Sequence, residues 1–375
     1  MISPRHLLQL GFIWFCNLNG ITTFFISSGR LRQSRVLTCY RIIHNFLVII
    51  LTIKFQMDFW HFSAASFDES PLVRLAAITY FGLVFLSLIS CMGCAHRRQD
   101  RIRNMIIKLQ DMEVMTRSRG YRLLKSQKRF LNILLITVTL LLILRLAIHA
   151  FLNVSRFLRG NHNPCNCFLS ECMIFATNSL AFGLMLEICR NWWRLQSGLE
   201  IVIMDPRPFS DQFCRLRKLQ CMFQCLINMT EEVCMVFRFV FLCYLLRNVW
   251  SGIRVGYMLV RVCLGHSAIE SELEYLQMVF IICIQPLLFS LMMNTLTHTI
   301  DTILEATKDV IRGLYSRDKL MERSMEWFSL QLAEQHTYVH IFGTYRMNRS
   351  LAFDGCSVIL LHVIYMVQSE YTSMF

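Results

Sequence analysis

The residues of this 375-residue chain with the means to do chemistry are polar side chains set inside long apolar runs. Arg145 and His149 stand one helical turn apart near the end of a run at 130–152. Arg254 and Tyr257 stand nearly as close at the end of another, 233–259, with Trp250 one turn before Arg254. Tyr80 lies beside Phe81 in a run at 72–95, Asn178 beside Ser179 at 168–189, and Gln285 near the middle of 276–296. A charge inside a membrane span is costly and keeps a job or a partner. Gathered together, these donors and rings would wall a cavity suited to a small organic ligand. The plainer reading is that each Arg snorkels, or pairs with a loop acid such as Glu270, Glu272 or Glu274. Both readings stand on residue types alone.

A second set lies in the last run, 351–368, which follows Arg346 and Arg349. On a helix, Asp354 and His362 point about 80° apart, and Asp354 and Gln368 about 40° apart. Polar groups on one side of a spanning helix face protein or water rather than lipid. That side either packs on neighbouring helices or lines a conduction path. Glu370 would sit just past the run, and repeated around a symmetry axis it would make a ring of carboxylates that favours cations.

The elements that must position these residues follow from hydropathy. The chain is 55% hydrophobic with a positive mean hydropathy. That excludes an ordinary soluble protein and predicts an all-α, polytopic membrane protein. Seven spans are expected, at about 36–57, 72–95, 130–152, 168–189, 233–259, 276–296 and 351–368, the sixth kinked at Pro286. The whole of 1–375 reads as one domain: a ligand-binding bundle at 36–296, a cytoplasmic helical anchor at 297–349, and a last helix at 350–375. Between the spans, Ile102, Met105, Ile106, Leu109 and Met112 keep helical spacing, as do Phe213, Leu216, Leu219, Met222, Phe223 and Leu226. The same spacing carries the sixth helix on through Ile300, Ile303, Leu304 and Thr307, and a further amphipathic helix is expected at 317–340. Residues 7–26 read as an amphipathic or re-entrant segment, with an eighth span the lesser reading.

A net charge of +13 would suit nucleic acid only as one patch on a soluble domain. Here the basic residues lie in blocks between apolar runs. Segments 1–36, 96–129, 190–232 and 295–349 hold 28 of the 38 Lys and Arg, and the alternate segments hold four. This imbalance puts the N-terminus in the cytoplasm and the C-terminus outside. The acceptor Asn153-Val154-Ser155 then faces outside and is a glycosylation candidate. Asp100-Arg101 reads as a solvated charge pair, and Trp192 and Trp193 as markers of an inner interface. The sixteen Cys show no paired zinc spacing and read mostly as buried thiols. A disulfide among Cys165, Cys167 and Cys172 and three free thiols both remain open. No phosphate loop, nucleophile elbow or metalloprotease motif is present, so the sequence points to no enzyme, cofactor or metal.

The tail resembles the insect gustatory receptors, whose last helix carries Thr-Tyr, five apolar residues and Gln-Phe. The aligned residues here are Leu361 and His362, then Val363, Ile364, Tyr365, Met366 and Val367, then Gln368 and Ser369. The Gln and the apolar run are kept; Thr, Tyr and Phe are replaced. Upstream, Phe328-Ser329-Leu330-Gln331-Leu332 matches the family's Phe-x-Leu-Gln-Leu element, and 342–351 echoes the segment that follows it. The resemblance is sharpest over 328–371.

The resemblance implies a tetrameric, ligand-gated cation channel of the plasma membrane, in a sensory dendrite, related to insect odorant receptors. It implies that a small-molecule tastant binds in the outer halves of spans two to six. Tyr80, Arg145, His149, Asn178, Trp250, Arg254, Tyr257 and Gln285 are the ligand candidates. It implies that Leu361, Ile364, Tyr365, Gln368, Ser369 and Glu370 line the pore, with the constriction at Gln368 and Ser369. Its subunits, homomeric or heteromeric with other gustatory receptors, would meet mainly through the cytoplasmic extensions. A G-protein receptor would need the opposite orientation and lacks its acid–Arg and Asn-Pro-x-x-Tyr signatures here. A transporter would show a repeat of broken helices, which the sequence does not.

Overall fold

The computed structural model describes residues 4–27, 30–66, 71–158, 165–204, 209–263, 279–280, 284–312, 323, 326–328, 330, 340–341, 345–346 and 349–373. The described residues are overwhelmingly helical, as the apolar periodicity predicts. Helix α1 is Pro4–Leu18, and strands β1 (Phe24–Ser27) and β2 (Arg30–Gln33) form a hairpin. Then come α2 (Arg35–Ser66), α3 (Pro71–Arg97), α4 (Gln99–Ser118), α5 (Lys125–Leu158), α6 (Cys165–Met204) and α7 (Phe209–Cys263). Helices α8 (Gln285–Arg312) and α9 (Arg349–Ser373) follow, with a two-residue strand pair, His340–Ile341 and Tyr345–Arg346, between them.

Five of these helices, α2, α3, α5, α6 and α7, are long and apolar enough to cross a membrane. The apolar part of α9, Phe353–Ser369, is shorter. The sixth expected span lies partly outside the described residues. The kink expected at Pro286 falls at the edge of the described residues: 281–283 lie outside them, and 280 and 284 are in wider, π-type helical turns just before α8.

Two helices outrun any bilayer. At ~1.5 Å per residue, the 40 residues of α6 reach about 60 Å and the 55 of α7 about 82 Å, against a hydrocarbon core of about 30 Å. The amphipathic stretch at 212–228 and the expected fifth span are therefore one unbroken helix. Helix α7 touches α3, α4, α6 and α9, and α6 touches α1, α2, α3, α4, α5, α7 and α8. These two form the axis of the bundle.

Helix α4 realises the helical reading of the basic block, burying Ile102, Met105, Leu109 and Met112 against α6 and α7, while Asp100 and Arg101 stay exposed. Glu113 of α4 accepts from Arg194 of α6 at 3.3 Å and from Arg117 at 2.8 Å. Trp192 is no interfacial marker: it is fully buried, edge-on to Phe223 at 5.3 Å, and Phe223 in turn meets Phe328 at 5.1 Å. Trp192 and Phe223 lie on the extensions of α6 and α7, where apolar positions keep facing a partner beyond the span.

The stretch at 7–26 divides where a single segment was expected. Helix α1 ends after 15 residues, and Gly20 turns the chain with φ +65°. A Cβ there would lie 2.8 Å from Asn45 Oδ1, so only glycine fits. The hairpin is fastened by polar side chains. Asn17 donates to the Phe24 carbonyl at 3.0 Å, Gln99 donates to Thr23, and Arg41 donates to Gln99 and to the Ala95 carbonyl at 3.0 Å.

Candidate functional site

Four helices bring an ionic cluster together inside the bundle. Arg145 of α5 donates to Glu171 of α6 and, at 2.5 Å, to Gln285 Oε1 of α8. Arg247 of α7 donates from Nη1 to both Glu171 oxygens at 2.9 Å. Arg145, Arg247, Glu171 and Gln285 are all buried. Each helix supplies one residue because long apolar helices of opposite direction pack side by side, and one level of the bundle then selects one position from each.

The surroundings are aromatic. The Arg145 guanidinium lies 5.4 Å from the Phe175 ring centroid and that of Arg247 5.5 Å from Tyr244. Phe289 packs on Phe175, Phe182 and Tyr244 at 5.7–5.8 Å. Two α7–α8 contacts lie beside this level: Tyr244 OH donates to the Pro286 carbonyl at 3.4 Å, and Asn248 to Ser290 at 3.3 Å. Rings beside a guanidinium supply cation–π attraction and exclude water, which strengthens the ion pairs.

The expected ligand residues divide. Arg145 and Gln285 meet in the cluster. Tyr80 and Arg254 meet next to it, with the guanidinium 5.2 Å from the ring centroid. Asn178 is fully buried on α6, about two turns from Glu171, and donates to the Ile174 carbonyl at 2.8 Å. Tyr257 is buried and Trp250 half-buried on α7. The side chains of His149, Asn153 and Glu370 lie outside those described, as do Glu270, Glu272 and Glu274. Arg145 takes its partner from within a span rather than from a loop. Glu171, the carboxylate at the centre, is the residue that sequence reasoning missed. Its signal was available: it is an acid near the start of the apolar run 168–189, and an acid there calls for a cation on another span. Cys172 beside it is a free, buried thiol.

The last helix makes a second arrangement. A Cβ on Gly252 of α7 would lie 2.6 Å from Ile359 Cδ1, and one on Gly256 2.8 Å from Val363 Cγ2. The paired positions rise together along both helices, so α7 and α9 run parallel. Two glycines four residues apart make a notch that lets the helices approach closely. Away from this seam α9 is open: Phe353, Leu360, Leu361, Ile364 and Tyr365 are exposed in the single chain, and so are Asp354, His362 and Gln368, while Ser369 is half-buried.

Comparison with known proteins adds a third line. The model of the 7tm chemosensory receptor family matches residues 11–373. The chain is 46% identical over 380 residues to putative gustatory receptor 85a of Drosophila melanogaster, covering all of this chain and 95% of that one. It is 20% identical to putative gustatory receptor 22b of the same fly, over 95% of this chain and 94% of that one. Among solved structures it is similar to the olfactory receptor OR5 of the insect Machilis hrabei. The TM-score is 0.67 at 12% identity, over 97% of this chain and 99% of that one. The same receptor in complex with eugenol gives a TM-score of 0.64 at 10% identity, over 97% and 98%. At that identity the likeness is one of fold.

Proposed function

Because this chain belongs to the 7tm chemosensory receptor family, we propose that it is a taste receptor whose own helices form a ligand-gated cation pore. It is a multi-pass membrane protein of receptor type, not an enzyme. The observation that carries the pore reading is the uneven environment of α9. One stripe locks into the α7 notch, and the remaining surface carries Asp354, His362 and Gln368 among exposed apolar residues. Polar groups on an open face of a spanning helix call for water or protein beside them.

Four copies around an axis, with α9 innermost, meet that need. Gln368 and Glu370 then stand near one mouth of the pore, and the narrowest ring is at Gln368 and Ser369. Serine is small and wet, so hydrophobic closure falls to Leu361, Ile364, Tyr365 or Val367. A small organic tastant binds among Tyr80, Arg145, His149, Asn178, Trp250, Arg254, Tyr257 and Gln285. It opens the pore by favouring the open state over the closed one. Eugenol, the small organic molecule in complex with the Machilis receptor, supports that size class. Helix α7 carries both Arg247 and the glycine notch, so it is the link between ligand and gate. The N-terminus is cytoplasmic, Asn153 is an outside acceptor, and subunits meet through the extensions of α6, α7 and α8.

Expression in a cell without taste receptors, with current recording and a ligand panel, tests this. Ligand-evoked cation current that persists with G-protein signalling blocked is expected. Current abolished by that block would replace the channel with a coupled receptor. A tag after Phe375 should be reached by antibody without permeabilisation. Glu370→Gln should move reversal potentials in ion substitution, and unchanged potentials would remove Glu370 from the pore.

A further inference from the structure

The charges of the cluster do not balance. Arg145 and Arg247 share the single carboxylate of Glu171, and a guanidinium stays protonated under any condition a protein meets. Arg254 adds a further positive charge on α7, seven residues from Arg247, hence about 10 Å along the axis and about 20° around it. Its described contact is the Tyr80 ring, and no carboxylate pairs with it among the described residues. Among the described residues, three cations thus stand against one anion in an aromatic-walled region of low dielectric, where a surplus charge is costly.

The unfilled hydrogen-bond capacity has the same sign. Gln285 uses its carbonyl oxygen on Arg145, and its amide nitrogen is buried with no partner among the described residues. Arg145 Nε is buried in the same condition. Both are donors. Two acceptors are also left over, Asn248 Oδ1 beside Arg247 and Asn178 Oδ1 at a level about 10 Å away along α6, so donors outnumber acceptors two to one at the cluster itself. A site with surplus positive charge and surplus donors asks for an anion with several acceptor oxygens.

We infer that the site takes an organic acid, its carboxylate held by Arg254 and its apolar body lying along Tyr80 toward the arginine cluster. This rests on the reading that the cluster is the ligand site and narrows that reading to a chemical class. The carboxylate restores charge balance, and the rings of Tyr80, Tyr244 and Phe175 give an aliphatic or aromatic body its apolar surface. An amine is repelled by the same charges, and a neutral amide of the same shape brings no charge to offset them.

The test is binding to the purified full-length protein in lipid nanodiscs, read as the midpoint of thermal unfolding. The probes are sodium benzoate and hexanoate against benzamide and hexanamide, at ionic strength matched with sodium chloride. A saturable rise with at least one acid is expected, with the matching amide at least tenfold weaker. Arg254→Gln should erase the acid–amide difference and Arg254→Lys should keep part of it. Equal shifts with acid and amide, or an acid shift untouched by Arg254→Gln, would overturn the inference. So would no shift with either acid, the result expected if Glu270, Glu272 or Glu274 already occupies the place. Where Arg254→Gln does not fold, the acid–amide comparison on the unsubstituted protein decides alone. Acid binding without evoked current would remove the channel reading and leave the ligand class standing. Current evoked by amides or amines but by neither acid would do the reverse.

Discussion

Helices α6 and α9 are both apolar runs flanked by polar residues, yet they live in different surroundings. In α6, 89% of the membrane-compatible window is buried inside one chain. Its polar residues Glu171, Thr177, Asn178, Arg190, Asn191 and Arg194 are buried with it. In α9, Leu361 is 68% and Tyr365 69% exposed, and the polar residues are exposed too. The difference teaches where the burial of each helix is completed. For α6 it is finished within the chain, by partners that satisfy its charges. For α9 it is begun within the chain, along one glycine-lined seam, and the rest is left to lipid, water or another copy. Hydropathy alone cannot separate the two, because lipid and protein interior are about equally apolar.

Substitutions at the two helices sharpen this contrast. The largest effect is expected at Glu171→Ala, which leaves two buried guanidiniums without their carboxylate and costs about 3–5 kcal/mol. Surface labelling and the unfolding midpoint should both fall; an unchanged midpoint would mean that the cluster does not hold α6 in place. Trp192→Ala removes a fully buried ring from the same helix and belongs in the same range, about 3–5 kcal/mol. Gly252→Ala and Gly256→Ala come next. Each pushes a methyl group into Ile359 or Val363, and overpacking of that kind costs about 1–3 kcal/mol. Ile359→Ala should relieve the first and Val363→Ala the second. The cross-link yield of a Val249→Cys, Gly355→Cys pair would report whether the seam has opened. The smallest effect on stability is expected on the open face of α9, where Leu361→Ala and Tyr365→Ala should stay within about 0.5 kcal/mol. If those two destabilise the isolated chain as Trp192→Ala does, the contrast fails.

Much of this was legible from residue order. The apolar runs fixed the helices, and the spacing of Ile102, Met105, Leu109 and Met112 gave the packed face of α4. Arg145, Gln285 and Arg254 stand out in the sequence because charged and amide groups are rare in spans, and Tyr80 as a ring with a polar tip. Their grouping was not legible, since it depends on which level of α5 meets which level of α6, α7 and α8. Glu171 escapes notice because an acid among the apolar residues of 168–189 barely lowers the hydropathy of the run. Trp192 misled because tryptophan favours interfaces, a preference that says nothing of a helix running tens of ångströms past the interface into a partner. The hairpin after Gly20 was hidden by an apolar stretch whose break consists of one residue with positive φ.

The length of α7 has a consequence of its own. One uninterrupted rod bears Arg254 toward one tip, the seat of α9 beside it, and Phe223 of the buried aromatic stack far down its shaft. A rod of that kind has no joint at which a tilt can be absorbed. Any small rotation set at one tip must be answered at the other, so the two ends of this molecule keep a common clock.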